Sequence, residues 1–337
     1  MSAADLIEGL VQLNLVGAAA IVIVLLFRRP ARRLFGPSLA YALWLAVPTA
    51  IAAIALPARR LVLHSQIPTP AATPNAVGPE VMAAGPASAD PRPWLIALWV
   101  IGALAFAAVL IWRQRRLIAS AGRLVQTADR SVRRAVARGI GPAVVGAIQP
   151  RVIVPADFED RFDADERVLV LAHEWAHLRR QDARINALVA LIQCGLWFNP
   201  LVHLAARAIR MDQELACDAV VIAQFPEARR RYAEAMLKTQ IATTALPFGC
   251  YWPARSVGPL KERIAMLKLK SPGPRARLLG GLVIGALALG AGAAAWAAKP
   301  ADIVIEAEIA AVAPIAQPAP IATPAPAPQA AAAPRSR

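Results

Sequence analysis

The chain has 337 residues, of which 57% are hydrophobic and only 18% are charged, and its mean hydropathy is +0.47. This composition argues against a soluble enzyme and indicates an integral membrane protein. The formal net charge of +15 is mostly arginine. Because the arginines stand beside apolar segments, we interpret them as determinants of membrane topology and as lipid-headgroup contacts rather than as a nucleic-acid surface.

Two apolar segments near the start of the chain are long enough to cross a bilayer. The first predicted span covers residues 9–27 and the second covers residues 39–57, with Pro48 as a tolerated kink. Four arginines between positions 28 and 33 follow the first span directly. They place this end of the first two transmembrane helices, residues 9–57, in the cytoplasm.

The third span is the clearest of the four. Residues 58–92, which precede it, are rich in proline and alanine and are predicted to form a flexible extracytoplasmic loop. Residues 93–112 form the span, with Trp94 and Trp112 near its ends. Arginines after position 112 mark the return to the cytoplasm, so residues 113–277 are predicted to be a folded cytoplasmic domain.

The beginning of this domain is predicted to combine a helix with a small hairpin. Residues 117–137 have the pattern of a basic amphipathic helix lying along or leaving the membrane surface. Residues 144–154 are interpreted as two short strands around Gln149 and Pro150. One of these strands could pair with an extended substrate backbone, or the hairpin could be purely structural.

The pattern H-E-x-x-H, formed by His173, Glu174 and His177, lies in an apolar segment. We predict a helix here because Asp163 and Glu166 have the spacing of an N-terminal capping box. Residues four apart lie on one helical face, so both imidazoles can bind one Zn²⁺. Glu174 then lies beside the metal, where it can act as general base on a zinc-bound water.

A catalytic zinc needs a third protein ligand and one open position. Glu214 and Asp218 are four residues apart and share one face of a second predicted helix. We interpret Glu214 as the third ligand and Asp218 as a carboxylate that orients an imidazole. The alternative is a pair of solvated acids on a surface helix. The upstream motif favours the ligands, since they would complete the metal site.

The segment between these helices contains two further candidates. Residues 187–198 are strongly apolar but short, which predicts a buried or re-entrant helix rather than a span. His203 is either a packed side chain, the commoner case for a single histidine on an apolar helix, or a donor in the transition state. Arg210 is a candidate for contact with a substrate carbonyl or for pairing with Asp182 or Asp218.

Several of these segments together resemble the BlaR/MecR-type membrane metallopeptidases: HEWAHLRRQDARINAL, WFNP, RMDQELACD and residues 142–155 and 260–267. The resemblance implies a mostly α integral membrane protein with four transmembrane helices. A cytoplasmic gluzincin-like α+β zinc peptidase domain would be inserted between the third and the fourth. It also implies one Zn²⁺ per chain, bound by His173, His177 and Glu214, with Glu174 as the general base.

The fourth predicted span, residues 278–298, precedes an Ala/Pro-rich tail, residues 299–337, that is predicted to be disordered. Gly281 and Gly285 form a G-x-x-x-G pattern that is compatible with packing inside the bundle and with a homodimer. Four spans place both termini outside a bacterial inner membrane. Members of the family that sense β-lactams carry a penicillin-binding domain with a Ser-x-x-Lys motif after the last span. No such motif occurs here, so we expect that sensor to be missing.

Two classes of function are compatible with these features. The first is a zinc endopeptidase that acts in signalling, whose protein substrate by resemblance is a BlaI/MecI-type winged-helix repressor. A quality-control protease would share its chemistry. The second is a non-proteolytic adaptor that keeps zinc for structure, with Cys217 or His203 as fourth ligand. The presence of Glu174 favours the enzyme. The widely spaced Cys194, Cys217 and Cys250 predict free thiols, and no direct nucleic-acid binding is expected.

Overall fold

The computed structural model describes residues 2–65, 90–127, 129, 131–138, 140–239, 249–251, 257–269 and 272–307. Its helices are α1 (Ala3–Phe35), α2 (Pro37–Ala42), α3 (Ala46–Ile54), α4 (Arg92–Ala121), α5 (Phe158–Arg161), α6 (Ala164–Arg180), α7 (Asp182–Gly195), α8 (Pro200–Gln224), α9 (Arg229–Thr239), α10 (Val257–Leu267) and α11 (Pro274–Ala297). Its strands are β1 (Arg60–Ser65), β2 (Leu124–Gln126), β3 (Val132–Ala135), β4 (Ala143–Val145), β5 (Arg151–Val154), β6 (Gly249–Tyr251) and β7 (Asp302–Ala307). Residues 66–89 of the predicted loop, residues 308–337 of the predicted tail and the side chain of Cys250 lie outside the described part.

The chain divides into two compact units. One comprises Met1–Arg59 and Gly85–Pro300, and the other comprises Arg60–Ala84 and Ala301–Arg337. In the second unit β1 and β7 pair in parallel. The prediction of irregular structure was therefore wrong for these two segments, whose runs of Leu, Val and Ile favour strands. All elements that build the candidate site belong to the first unit.

Within the described residues, four helical segments are long and apolar enough to cross a membrane: Ala3–Phe35, Pro37–Ile54, Arg92–Ala121 and Pro274–Ala297. They correspond to the four predicted spans. The first is longer than predicted because Ser2 and Asp5 form a capping box that starts α1 early. It ends at Gly36, whose φ of 92° is a conformation that favours glycine.

The second span is not a regular α-helix. A 3₁₀ turn, Leu43–Leu45, separates α2 from α3. Pro48, which was predicted to kink this span, lies one turn further on and lacks the N–H that an α-helix would use there. The tighter backbone of the 3₁₀ turn therefore separates the second span into two α-helical segments.

The predicted helix at residues 117–137 is wrong in its second part. α4 continues through this region only to Ala121 and stops at Gly122, where φ is 70°. β2 and β3 follow and pair antiparallel. The β-branched residues Val125 and Val132 fit these strands better than a helix.

The small sheet has the strand order β2-β3-β5-β4-β6. β3 and β5 are parallel, and the other neighbours are antiparallel. β4 and β5 form the predicted hairpin, and Gly146 between them has a φ of 99°. The outer edge of β4 is paired with β6. This segment of the chain therefore occupies the edge at which the sequence allowed a substrate backbone to pair.

The sheet packs against α6, the helix that carries the H-E-x-x-H pattern. Val144, Val152, Phe162 and Val170 are buried together in this core. α6 starts as predicted, because the Glu166 amide donates to Asp163 at 2.8 Å and the Asp163 amide donates to the Glu166 carboxylate at 3.0 Å. The core and the cap together fix the helix against the sheet.

The 25-residue helix α8 belongs to two environments. Its first half contributes Val202, Ala205 and Ile209 to a core shared with the spans, which also contains Val24 and Leu43. Its second half carries the helical face on which the predicted ligand Glu214 lies. The spans and the helix that bears Glu214 are therefore packed into one compact unit rather than joined by a linker.

The third and fourth spans pack through glycines. A Cβ atom at Gly102 would lie 2.2 Å from the Trp197 ring, so the third span closely approaches the turn after α7, the predicted short buried helix. In the fourth span, a Cβ atom at Gly280 would meet Phe35, whereas Gly281 and Gly285 have nothing within 4 Å. Within the described chain, the predicted G-x-x-x-G face therefore does not pack inside the bundle, and a homodimer stays a prediction.

Candidate metal centre

Helices α6 and α8 bring the three predicted ligands together in the interior. The Nε2 atoms of His173 and His177 lie 3.1 Å apart. The Glu214 carboxylate oxygens lie 3.4 Å from the first of these atoms and 3.5 Å from the second. All three side chains are buried, with exposed fractions of 0%, 1% and 5%. They form a group whose ligand atoms all lie within 4.8 Å of one another.

These separations match the requirements of zinc. With metal–ligand bonds of 2.0–2.1 Å, ligand atoms at the corners of a tetrahedron are about 3.3 Å apart. The measured separations of 3.1, 3.4 and 3.5 Å lie close to this value. The donor set of two imidazoles and one carboxylate is one that zinc commonly takes.

The hydrogen bonds behind the imidazoles determine which ring nitrogen of each carries the proton. The Nδ1 atom of His173 lies 2.8 Å from the Tyr232 hydroxyl and 3.2 Å from Asp218. The hydroxyl in turn donates to Asp218 at 2.7 Å. Nδ1 of His173 therefore carries the proton and its Nε2 lone pair points towards His177.

His177 is held in the same way by another acid. Its Nδ1 donates to Asp182 at 2.8 Å, and Cys217 Sγ lies 3.3 Å from the same nitrogen. The Nε2 lone pairs of the two histidines therefore face each other, an arrangement that a cation between them stabilises. His177, Asp182 and Cys217 form a second group of possible ligands. A metal is disfavoured in this second group, because the Nδ1 atom of His177 carries a proton that it donates to Asp182. Burial also raises the pKa of the Cys217 thiol to about 12, so a thiolate is disfavoured there.

A buried arginine balances the carboxylates. Arg263 from α10 donates to Asp218 at 2.6 and 2.8 Å and lies 3.0 Å from Glu214. Burial by itself raises the pKa of both carboxyl groups. The Arg263 guanidinium and the histidines lower it by a larger amount, so both pKa values fall below the ordinary range. Arg263 therefore keeps Glu214 and Asp218 ionised in the interior.

Glu174 has an unusual environment for a carboxylate. It is completely buried, and neither oxygen has a hydrogen-bond partner among the described residues. Burial raises its pKa, although both histidines oppose the shift. A buried carboxylate without a partner is costly in a purely structural role, which points to a partner that is supplied by a reaction.

The remaining predicted site residues lie elsewhere or keep an open role. His203 lies eleven residues before Glu214 on α8, roughly 16 Å away along the helix. Its ring contacts Gln193 at 3.0 Å and the Trp197 carbonyl at 2.8 Å, as a packed side chain would. Arg210 lies one turn before Glu214 and is half-buried. Asp182 and Asp218, with which it was expected to pair, are held by Arg180 and Arg263.

Three residues of the site were missed at the sequence level. Asp182 follows the motif by five residues, which is not the spacing of three or four residues that places side chains on one helical face. Tyr232 follows a run of three arginines, and Arg263 lies far along the chain, so neither is related to the motif by local spacing. Two buried acids require a nearby cation. This rule predicts a basic residue beside Glu214 and Asp218, although not which one, and the structure has Arg263 there.

Comparison with known proteins places this geometry in context. The family model described as BlaR1 peptidase M56 matches residues 8–267. The regulatory protein BlaR1 of Bacillus licheniformis is 36% identical over 98 residues, which are 29% of this chain and 16% of that protein. The methicillin resistance mecR1 proteins of Staphylococcus aureus and Staphylococcus epidermidis are 26% identical over 101 residues, 30% of this chain and 17% of theirs. The matched region thus spans about a sixth of the length of these curated relatives.

Proposed function

Because the chain belongs to the BlaR1 peptidase M56 family, we propose that it is a zinc-dependent membrane endopeptidase that acts in signalling. The observation that carries this proposal is the carboxylate of Glu174, buried and without a hydrogen-bond partner among the described residues. It directly follows His173, whose Nε2 converges with that of His177. A general base needs an accepting oxygen that other groups do not occupy, and Glu174 meets this condition among the described residues.

Each residue of the site has a defined part in this proposal. His173, His177 and Glu214 hold the metal, while Asp218, Tyr232 and Asp182 fix the orientation of the two imidazoles. Zinc, when bound, lowers the pKa of a coordinated water and polarises a peptide carbonyl. Glu174 takes a proton from the attacking water and passes it to the amine that leaves. The peptide bond is thereby replaced by a carboxylate and a free amine.

The alternative of a structural zinc finds no support in the described residues. A structural site normally has a fourth protein ligand. His203 is engaged with Gln193 and Trp197, and Cys217 lies on the Nδ1 side of His177, away from the converging Nε2 atoms.

The proposal is tested with Glu174→Gln in the full chain, purified in detergent or nanodiscs. Zinc content is measured by elemental analysis, and cleavage is followed on the chain itself and on a co-expressed candidate substrate. Glu234→Gln is the matched control, because Glu234 is an exposed acid that pairs only with Arg230 among the described residues. We expect about one zinc per chain in all three proteins and loss of cleavage only in Glu174→Gln, by at least about a hundredfold.

Two results would contradict the proposal. Absence of zinc from the wild-type protein would remove the ligand assignment of His173, His177 and Glu214. Undiminished cleavage by Glu174→Gln would remove the assignment of the base. Zinc without cleavage in any of the three proteins would favour the adaptor.

The substrate and the location are part of the same proposal. We propose a winged-helix repressor of the BlaI/MecI type as substrate, since the matched relatives are a regulatory protein and resistance proteins by name. The arginines after the first and third spans favour a cytoplasmic metal centre with both termini outside. Cleavage of a co-expressed repressor, with a general membrane-protein substrate as comparison, distinguishes signalling from quality control.

A further inference from the structure

Two residues that immediately precede the metal ligand Glu214 are bound by the membrane spans. Asp212 is buried and accepts hydrogen bonds from Arg28 at 2.9 Å and from Arg32 at 2.6 Å, both on the first span. It also accepts one from the Trp44 indole at 2.7 Å, on the second span. The α8 turn that presents Glu214 is therefore fixed by groups at the end of the transmembrane helices.

Gln213, the next residue, is bound to the second span as well. Its side-chain amide donates to the Tyr41 hydroxyl at 3.1 Å. The same hydroxyl donates to Asp182 Oδ1 at 3.2 Å. Asp182 uses its other oxygen to accept the Nδ1 proton of His177. One hydroxyl thus connects the neighbour of one ligand, Glu214, with the acid that orients another ligand, His177.

The ring of Tyr41 is also held in place. The Arg180 guanidinium lies 4.6 Å from the ring centre and its Nε lies 3.6 Å from Asp182. Tyr41 and Trp44 are three residues apart and face α8 together. Further along the same span, the Thr49 hydroxyl instead contacts the Ala288 carbonyl of the fourth span. Among the described hydrogen bonds of the second span, those of Tyr41 and Trp44 lead towards the candidate metal centre, and that of Thr49 to Ala288 does not.

We infer that the second span positions the metal ligands, with Tyr41 as the positioning residue that joins Asp182 to Gln213. The inference rests on the proposed function in that the bound ion is a catalytic metal. Tyr41 acts through Asp182, which accepts hydrogen bonds from both the Tyr41 hydroxyl and His177. A shift of the second span relative to α8 stretches both hydrogen bonds of the hydroxyl together, so movement in the membrane alters the geometry of the metal set.

The test compares Tyr41→Phe with the wild-type full chain. The substitution removes the hydroxyl and keeps the ring on which Arg180 rests. Thr49→Val is the matched control, because it removes a hydroxyl from the same span that contacts Ala288 and not the centre. Metal affinity is measured by competition with a chelator, and the visible spectrum of the Co²⁺-loaded protein reports the geometry of the ligands.

We expect Tyr41→Phe to weaken metal binding by about three- to tenfold, less than the ~10- to 100-fold typical of a group that touches a ligand directly. The Co²⁺ bands should shift, while Thr49→Val should resemble the wild type. A double-mutant cycle with Asp182→Asn tests the route. If Tyr41 acts through Asp182, Tyr41→Phe should change the affinity of the Asp182→Asn protein by less than about twofold.

The outcomes separate this inference from the proposed function. A wild-type protein that binds no metal overturns the proposed function. A wild-type protein that binds metal, together with a Tyr41→Phe protein of the same affinity and the same Co²⁺ spectrum, overturns the positioning role alone. An effect of Tyr41→Phe that is undiminished in the Asp182→Asn protein overturns the route through Asp182.

Discussion

Each imidazole of the candidate metal centre contacts an acid: Asp218 lies beside His173, and Asp182 lies beside His177. Helical spacing predicted only the first of these two acids. Asp218 is four residues from Glu214, and this spacing predicted that both would share a helical face. Asp182 lies beyond the end of α6, after the left-handed residue Gln181. Sequence periodicity describes a face only while the helix continues. Residues contributed by a turn or by a distant helix, such as Tyr232 and Arg263, depend on tertiary packing.

The protonation of His173 gives a prediction about pH. Burial lowers the pKa of this imidazole, hydrogen bonds to Asp218 and Glu214 raise it, and the net pKa lies above the ordinary 6.5. In the metal-free protein, a proton can bind the same Nε2 atom that would bind the metal, so protonation of His173 lowers the apparent metal affinity. Apparent metal affinity should therefore be constant at high pH and begin to fall at a pH above 6.5, as His173 becomes protonated.

This prediction is checked by chelator competition across a pH series. Asp218→Asn removes one acceptor that favours the imidazolium, so the break in affinity should move to lower pH. Glu159→Gln is a suitable control, since that residue is exposed and pairs with Arg134 on the surface. A break that stays in place in Asp218→Asn would contradict the role assigned to this carboxylate.

At the scale of elements, the helices were easier to predict than the strands. The apolar length of the spans and the capping box of α6 are local signals, and the structure has these helices close to the predicted positions. The strands β2 and β3 are only three and four residues long, and the basic residues of this segment suggested an amphipathic helix instead. β2 pairs with β3, and β3 pairs with β5, which lies outside any local window, so tertiary pairing stabilises both short strands.

The hairpin between β4 and β5 gives a prediction at this scale. Gly146 has a φ of 99°, and a Cβ atom there would lie 2.9 Å from the Gln149 carbonyl oxygen. Gly146→Ala should therefore destabilise the protein by about 1–3 kcal/mol. Gly195→Ala is the control, because Gly195 ends α7 with nothing within 4 Å of its Cβ position. The midpoints of thermal unfolding in one detergent provide the comparison, and equal midpoints for the two variants would contradict the strain.

The pairing of β6 with β4 also has a consequence for substrates. A peptide that added to the outer edge of β4 would need the same backbone groups that β6 uses. The sequence predicted the hairpin but not its partner, because β6 is about a hundred residues further along the chain. Binding of an extended substrate at this edge therefore requires β6 to leave.

At the scale of the whole molecule, the spans and the metal centre share one structural core. The resemblance to a family and the apolar segments predicted four spans, with a peptidase domain inserted between the third and the fourth. They did not predict that α8 would take part in both. Its early residues pack among Val24, Leu43 and Ile284 of the spans, and its later residues hold the ligand Glu214.

The shared helix predicts that residues 113–277 alone will not form the metal centre. Removal of the spans exposes Val202 and Ile209 and leaves Asp212 without Arg28, Arg32 and Trp44. Loss of the partners of a buried charge costs about 3–5 kcal/mol. The excised segment should bind metal at least tenfold more weakly than the full chain and should lack a cooperative unfolding transition. A folded segment with full-chain affinity would show that the spans are dispensable.

The pairing of Arg32 with Asp212 also sets an order for biosynthesis. The two residues are 180 positions apart in the chain. At typical synthesis rates of about 5–20 residues per second, the ribosome adds the arginine roughly 10–40 s before it adds its partner. During this interval its guanidinium needs water or lipid phosphate, which keeps the end of α1 at the membrane surface. We expect the end of the first helix to take its final position only after α8 has been made and Asp212 pairs with Arg32.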